Sequence, residues 1–192
     1  MAETDDRFEL NVDPEIARAS TPPSRVYHDP ELFELQKARV FEGSWQVVGA
    51  SDQLKAPGHV LPLTLLEGCL DEPLVLTRDD AGEAHCLSNV CTHRGALVVE
   101  GEGHLKTLRC RYHGRRFRLD GALHSMPEFE EVEGFPAPSD DLPALPLRDW
   151  GPLTFASLGP AFPFDEWIEP VRTRTDWLPL DQMVFDRNTS QD

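Results

Sequence analysis

The chain has little of several things, and each shortage narrows what it can be. No apolar run approaches the roughly 20 residues that a membrane-spanning helix needs, so no spanning segment is expected. The opening Met1-Ala2-Glu3-Thr4-Asp5-Asp6 is acidic where a secretory leader would be apolar, so no leader is expected either. Basic residues are scarce: 18 Lys and Arg stand against 34 Asp and Glu, a formal net charge of −16. So acidic a surface repels a phosphate backbone, which argues against nucleic-acid binding as the main role. Only four cysteines occur in 192 residues, and a chain of this length buries a core without disulfide staples. The expected setting is a reducing cytoplasm, where Cys69, Cys86, Cys91 and Cys110 serve as metal ligands or as buried fillers.

Proline, by contrast, is abundant. Seventeen in 192 residues is about 9%, against a usual level near 5%; long helices are disfavoured and turn-rich β structure is favoured. Residues 1–24 are polar and read as a loose arm. Asp29-Pro30-Glu31 is a helix start, with Asp as N-cap and Pro at the first helical position. Leu32, Phe33, Leu35, Val40 and Phe41 continue it as an amphipathic stripe to about residue 42. Short strands are then expected at 45–48, 60–66, 74–77, 84–88, 106–110, 116–119 and 122–124. A last hairpin joins 145–147 to 153–157. Asp120-Gly121 is a strong hairpin signal between two of these runs. The pattern predicts an antiparallel β-sandwich or small barrel behind one short N-terminal helix. From residue 160 the chain alternates Pro, aromatic and acidic residues and reads as an extended segment, with or without one short helix, that needs another surface.

Two segments carry the chemistry: Cys91-Thr92-His93-Arg94-Gly95 and Cys110-Arg111-Tyr112-His113-Gly114, with sixteen residues between His93 and Cys110. Each joins a thiolate donor to an imidazole donor and closes on a glycine, which lets the backbone turn sharply. Two such loops at one end of a sandwich bring two Cys and two His together. A structural zinc ion takes Cys₂His₂, but usually with the cysteines paired in one segment and the histidines in the other. A [2Fe–2S] cluster of the Rieske type puts two Cys on one iron and two His on the other. The mixed loops suit the cluster better, because each loop then reaches both metals. Core filling by coincidence is the third reading.

From about residue 25 to 160 the sequence resembles the N-terminal Rieske domain of the large subunit of ring-hydroxylating oxygenases. The resemblance rests on C-x-H-R-G, the sixteen-residue gap and C-x-Y-H-G, together with the strand Ser44-Trp45-Gln46-Val47-Val48-Gly49 and the hairpin Trp150-Gly151-Pro152-Leu153-Thr154-Phe155. It implies that Cys91 and Cys110 ligate one iron of a [2Fe–2S] cluster and that His93 and His113 ligate the other through Nδ1. It implies electron transfer from a ferredoxin or flavin reductase to a mononuclear non-haem iron in another domain or subunit. It also implies that Met126-Pro127 begins a third loop shielding the cluster. Ala96 and Tyr112 stand where respiratory-chain Rieske proteins carry a disulfide pair. Arg115 stands where those proteins have Ser and many oxygenases have Trp. A mononuclear iron site needs a close pair of histidines and an acid, yet no histidine follows His124. Residues 161–192 are therefore expected to lead toward a catalytic domain outside this chain. The rivals are a stand-alone Rieske ferredoxin-like carrier and a zinc-stabilised interaction module.

Other features receive plainer expectations. Arg109, Arg111, Arg115, Arg116 and Arg118 are either a docking patch for an acidic electron donor or arginines solvated on alternate strand positions. Glu128, Glu130, Glu131, Glu133, Asp140 and Asp141 read as a solvated loop. Cys69 and Cys86 read as small buried hydrophobes in strands. His28, His59, His85, His104 and His124 lack ligand spacing.

Overall fold

The computed structural model describes residues 12–129, 131–183, 186, 188 and 189. The chain forms two compact units, one ending at Phe41 and the other beginning at Glu42. In the first, helix α1 (Pro30–Gln36) starts as expected: the Asp29 carboxylate accepts hydrogen bonds from the backbone N–H groups of Glu31 and Leu32, and Pro30 opens the helix. Wider π-helical turns carry it through Lys37–Phe41.

The second unit is built from three antiparallel sheets. One holds β1 (Gln46–Ala50), β10 (Leu147–Trp150) and β11 (Leu153–Ala156), in the order β1-β11-β10. The largest joins β2 (His59–Leu65), β3 (Glu72–Arg78), β4 (Ala84–Ser88), β5 (Gly103–His104) and β9 (Ala144–Leu145), in the order β5-β2-β3-β4-β9. The third is β6 (Leu108–Arg109), β7 (Arg116–Phe117) and β8 (Leu123–Ser125). All strand pairings are antiparallel among the described residues, as the turn-rich composition predicts. Strand β5 was not foreseen, and the one strand expected at 145–147 is instead two, β9 and β10, which belong to different sheets.

Side-chain alternation makes the five-stranded sheet the middle layer. Val60, Val75 and Leu87 face one core, shared with Leu108, Phe117, Leu119 and Leu123 of the small sheet and with Cys91 and Cys110. Their neighbours in sequence, Leu61, Leu74, Leu76 and Cys86, face a second core that includes Ala156 of β11. Both faces of β3 are thus buried, which is why Leu74 to Thr77 read as an unbroken run of β-favouring residues. Thr77 satisfies its hydroxyl by donating to the Leu119 carbonyl at 2.5 Å, tying the middle layer to the small sheet.

After β11 the segment expected to be extended, with or without one short helix, forms the 12-residue helix α2, Phe164–Thr175. Phe164, Trp167 and Ile168 fall at i, i+3 and i+4, and this stripe packs on Trp45 and Phe155 in a third core. Asp165 and Glu166 lie in the first turn and Arg172 and Arg174 in the last, which suits the helix dipole. Among the described residues no helix is long and apolar enough to cross a membrane.

Candidate metal centre

The two Cys/His segments fold into hairpins with the same closure. In the first, the Cys91 N–H donates to the Ala96 carbonyl (2.8 Å) and the Gly95 N–H to the Cys91 carbonyl (3.0 Å). In the second, the Cys110 N–H donates to the Arg115 carbonyl (2.9 Å) and the Gly114 N–H to the Cys110 carbonyl (3.1 Å). Gly95 and Gly114 take φ of +72° and +78°, the left-handed region open to glycine at little cost. On this common frame His93 is the third residue of its loop and His113 the fourth. Buried Asn89 steadies the first hairpin, accepting from the Val99 N–H at 2.9 Å and donating to the Val99 carbonyl at 2.7 Å.

The four candidate residues come together. Cys91 and Cys110 are both buried and belong to the same core. The rings of His93 and His113 meet edge to face with centroids 4.7 Å apart. His93 is half-buried and His113 exposed, so thiols point inward and imidazoles toward the surface. Tyr112 covers the His113 ring at 3.9 Å. Burial, reinforced by the nearby Cys110, raises the Cys91 thiol above its ordinary range. Burial lowers the His93 imidazole, and the His113, Arg115 and Arg94 charges lower it further. That favours the neutral imidazole a metal requires.

These residues fit a [2Fe–2S] cluster on observations of the structure itself. His93 Nδ1 is buried and has no hydrogen-bond partner, an expensive condition for a polar atom unless it ligates something. Among the described residues no three His, Cys, Asp or Glu side chains converge on a point that would hold a single ion. A tetrahedral zinc site needs such convergence; a two-iron cluster needs only two protein donors per metal.

A third loop closes over the site. A side chain at Gly114 would stand 3.2 Å from Pro127 Cγ, so Pro127 rests directly on the second hairpin. Sequence reasoning did not foresee the residue at the junction of all three loops. Arg115 is only 5% exposed and is not a docking arginine. It pairs with Asp140 at 2.8 Å and donates to Thr92 Oγ1 at 2.7 Å. The signal was present: Phe117 and Leu119 are buried, so alternation sends Arg115 inward and Arg116 and Arg118 outward. Nor are Asp140 and Asp141 part of a solvated loop, since Asp141 accepts from the Leu123 N–H at 2.6 Å. Glu128, Glu131 and Glu133 are exposed as expected; Glu130 lies outside the described residues.

The remaining arginines stay on the surface. Arg111 pairs with Glu100 at 2.9 Å. Arg109 and Arg116 face each other across β6 and β7, and among the described residues neither has a carboxylate partner. Cys86 is buried and its thiol is pushed up to about 12; Cys69 lies half-buried in the β2–β3 turn instead of a strand. His85 bonds Asp79 at 2.9 Å, and His59 bonds Glu102 at 3.1 Å and stacks on His104.

Comparison with known proteins agrees with this geometry. Residues 44–136 match the Rieske [2Fe-2S] domain family. Chloroplastic choline monooxygenase of Arabidopsis thaliana is 36% identical over 143 residues, covering 73% of this chain and 33% of that protein. The glycine betaine monooxygenase oxygenase subunit of Chromohalobacter salexigens is 35% identical over 102 residues, covering 53% and 22%. The crystal structure of a quaternary ammonium Rieske monooxygenase superposes with a TM-score of 0.75 at 24% identity, over 88% of this chain and 48% of that one. The chain spans about a third of the length of the choline monooxygenase it matches.

Proposed function

The chain belongs, through residues 44–136, to the Rieske oxygenase large-subunit family, and from that premise we propose that it is the electron-transfer domain of a ring-hydroxylating oxygenase system. Cys91 and Cys110 hold one iron of the [2Fe–2S] cluster, and His93 and His113 hold the other. The observation that carries this reading is the pair of matched hairpins with inward thiols, outward imidazoles and an unpartnered His93 Nδ1. When bound, the cluster accepts and releases one electron at a potential raised by its two neutral imidazoles.

The protein's own part is to bind, orient and shield. The hairpins fix four donors, Pro127 and Tyr112 limit access to the His-bearing edge, and the exposed imidazole of His113 offers a hydrogen bond to a docking partner. Residues 25–160 serve as this domain, and 161–192 lead toward the catalytic one. The donor is a ferredoxin or flavin reductase, and the acceptor is a mononuclear iron outside the described residues. The relatives at 36% and 35% identity point to a quaternary ammonium substrate for the complete system, and its proposed location is the cytoplasm. Anaerobic purification with ample iron and sulfide tests the reading. Two irons and two labile sulfides per chain, lost on Cys91→Ser or His113→Ala, are expected. A folded, colourless protein holding stoichiometric zinc would overturn it.

A further inference from the structure

A buried guanidinium is costly unless it is paired and hydrogen-bonded, and each of the three Arg115 nitrogens has a partner. Nη2 donates to Asp140 Oδ1 at 2.8 Å, Nη1 to Thr92 Oγ1 at 2.7 Å and Nε to Met126 Sδ at 3.4 Å. The group also lies 5.6 Å from the centre of the Phe135 ring. Its partners extend the lattice: Thr92 donates onward to the Asp140 carbonyl at 2.6 Å, and Asp140 Oδ2 accepts from the Ala137 N–H at 2.9 Å. Thr92 sits between Cys91 and His93. Arg115 follows Gly114, and its own carbonyl closes the second hairpin on the Cys110 N–H. Met126, Phe135 and Asp140 belong to the third loop. One side chain therefore ties together all three loops around the candidate cluster.

We propose that Arg115 and Asp140 are positioning residues, a buried charge pair that holds the two ligand hairpins in register and balances the charge felt by the cluster. The proposal rests on Cys91, His93, Cys110 and His113 being its ligands. As a pair the two side chains carry no net charge, so the intact clamp biases the cluster little. Removing one partner leaves the other's charge in a weakly screened interior. The reduced cluster carries one more negative charge than the oxidised one. An unmatched Arg115 therefore favours reduction and an unmatched Asp140 opposes it.

The test uses the full chain, loaded with iron and sulfide anaerobically, in five forms: wild type, Arg115→Gln, Asp140→Asn, the double variant and Arg115→Lys. Midpoint potential and the half-life of visible absorbance under a chelator are measured for each at pH 8. Asp140→Asn is expected to raise the potential, Arg115→Gln to lower it, and the double variant to fall between them. Both single variants lose the cluster severalfold faster, and Arg115→Lys recovers part of that loss while keeping the wild-type potential. If Arg115→Gln fails to hold iron, Asp140→Asn against charge-conserving Asp140→Glu reads the same sign. Potentials that stay put, or that move the same way in both single variants, overturn the clamp. A wild-type chain that takes up no two-iron cluster overturns the ligand assignment instead.

Discussion

Gly95 and Gly114 allow the contribution of the third loop to be weighed by difference. Both close a ligand hairpin with positive φ, +72° and +78°, so alanine at either meets a similar left-handed penalty of about 1–2 kcal/mol. They differ in surroundings. A Cβ at Gly95 has nothing within 4 Å, whereas one at Gly114 stands 3.2 Å from Pro127 Cγ and 3.5 Å from its Cδ. The proline ring is rigid and must move by a few tenths of an ångström. Overpacking of that kind adds about 1–3 kcal/mol. For a chain of this size 1 kcal/mol corresponds to about 2–4 °C. Gly95→Ala should therefore lower the melting midpoint by about 2–8 °C, and Gly114→Ala by a further 2–12 °C or so. Both are followed anaerobically on loaded protein at one scan rate, by far-ultraviolet circular dichroism and visible absorbance together. Because Gly114→Ala displaces the covering loop, its colour should fade at a lower temperature than its helix and strand signal. Equal losses in the two variants, or a larger one in Gly95→Ala, would refute the idea that Pro127 rests on the second hairpin as a cover.

Three further expectations follow from the site and its surface. Ala96 and Tyr112 preclude the disulfide of respiratory-chain Rieske proteins and Arg115 replaces their hydroxyl, so voltammetry should place the midpoint in the lower half of the roughly −150 to +300 mV Rieske range; a value above about +200 mV would contradict the oxygenase type. Arg109 and Arg116 are like charges opposed across two strands, an arrangement that an acidic partner relieves. Reversing either to Glu should slow electron uptake from an acidic ferredoxin, most at low salt, and an unchanged stopped-flow rate would remove the patch from the docking surface. The hydrogen bond from His85 holds the Asp79 carboxyl below its usual value, so its stabilisation is complete above the ordinary carboxylate range and lost as pH falls through the depressed folded-state value. The urea midpoints of wild type and Asp79→Asn should accordingly differ near neutrality and converge in acid, by an amount that shrinks with salt; divergence in acid would mean the sign is wrong.

Much of this was legible in the sequence, for reasons that vary by residue. The β3 run, the Asp120-Gly121 turn and the Asp29 cap are local signals, and they appear in the structure where expected. Strand β5 has only two residues, Gly103–His104, and two residues carry no periodicity. Helix α2 was anticipated only as one short helix within an extended segment, because proline density outweighed the Phe164, Trp167, Ile168 stripe; Pro160 and Pro163 lie ahead of the helix and Pro170 sits inside it. The metal centre stood out because each hairpin spells its donors within four residues. Its clamp did not, since Arg115 lies 25 residues from Asp140. Composition counts such residues with their exposed neighbours; only tertiary structure pairs them.

The middle position of β3 has a consequence for how the domain comes apart. Val75 belongs to the core beneath the hairpins, and Leu74 and Leu76 to the core behind it, so the strand cannot leave one core without leaving the other. The two cores should therefore melt as one cooperative unit, with the amides of Leu74 to Thr77 exchanging with solvent only when the whole unit opens. The hairpins share the first of those cores through Cys91 and Cys110, so the ligand-bearing loops are anchored in the same cooperative unit and should lose their closure only when it opens.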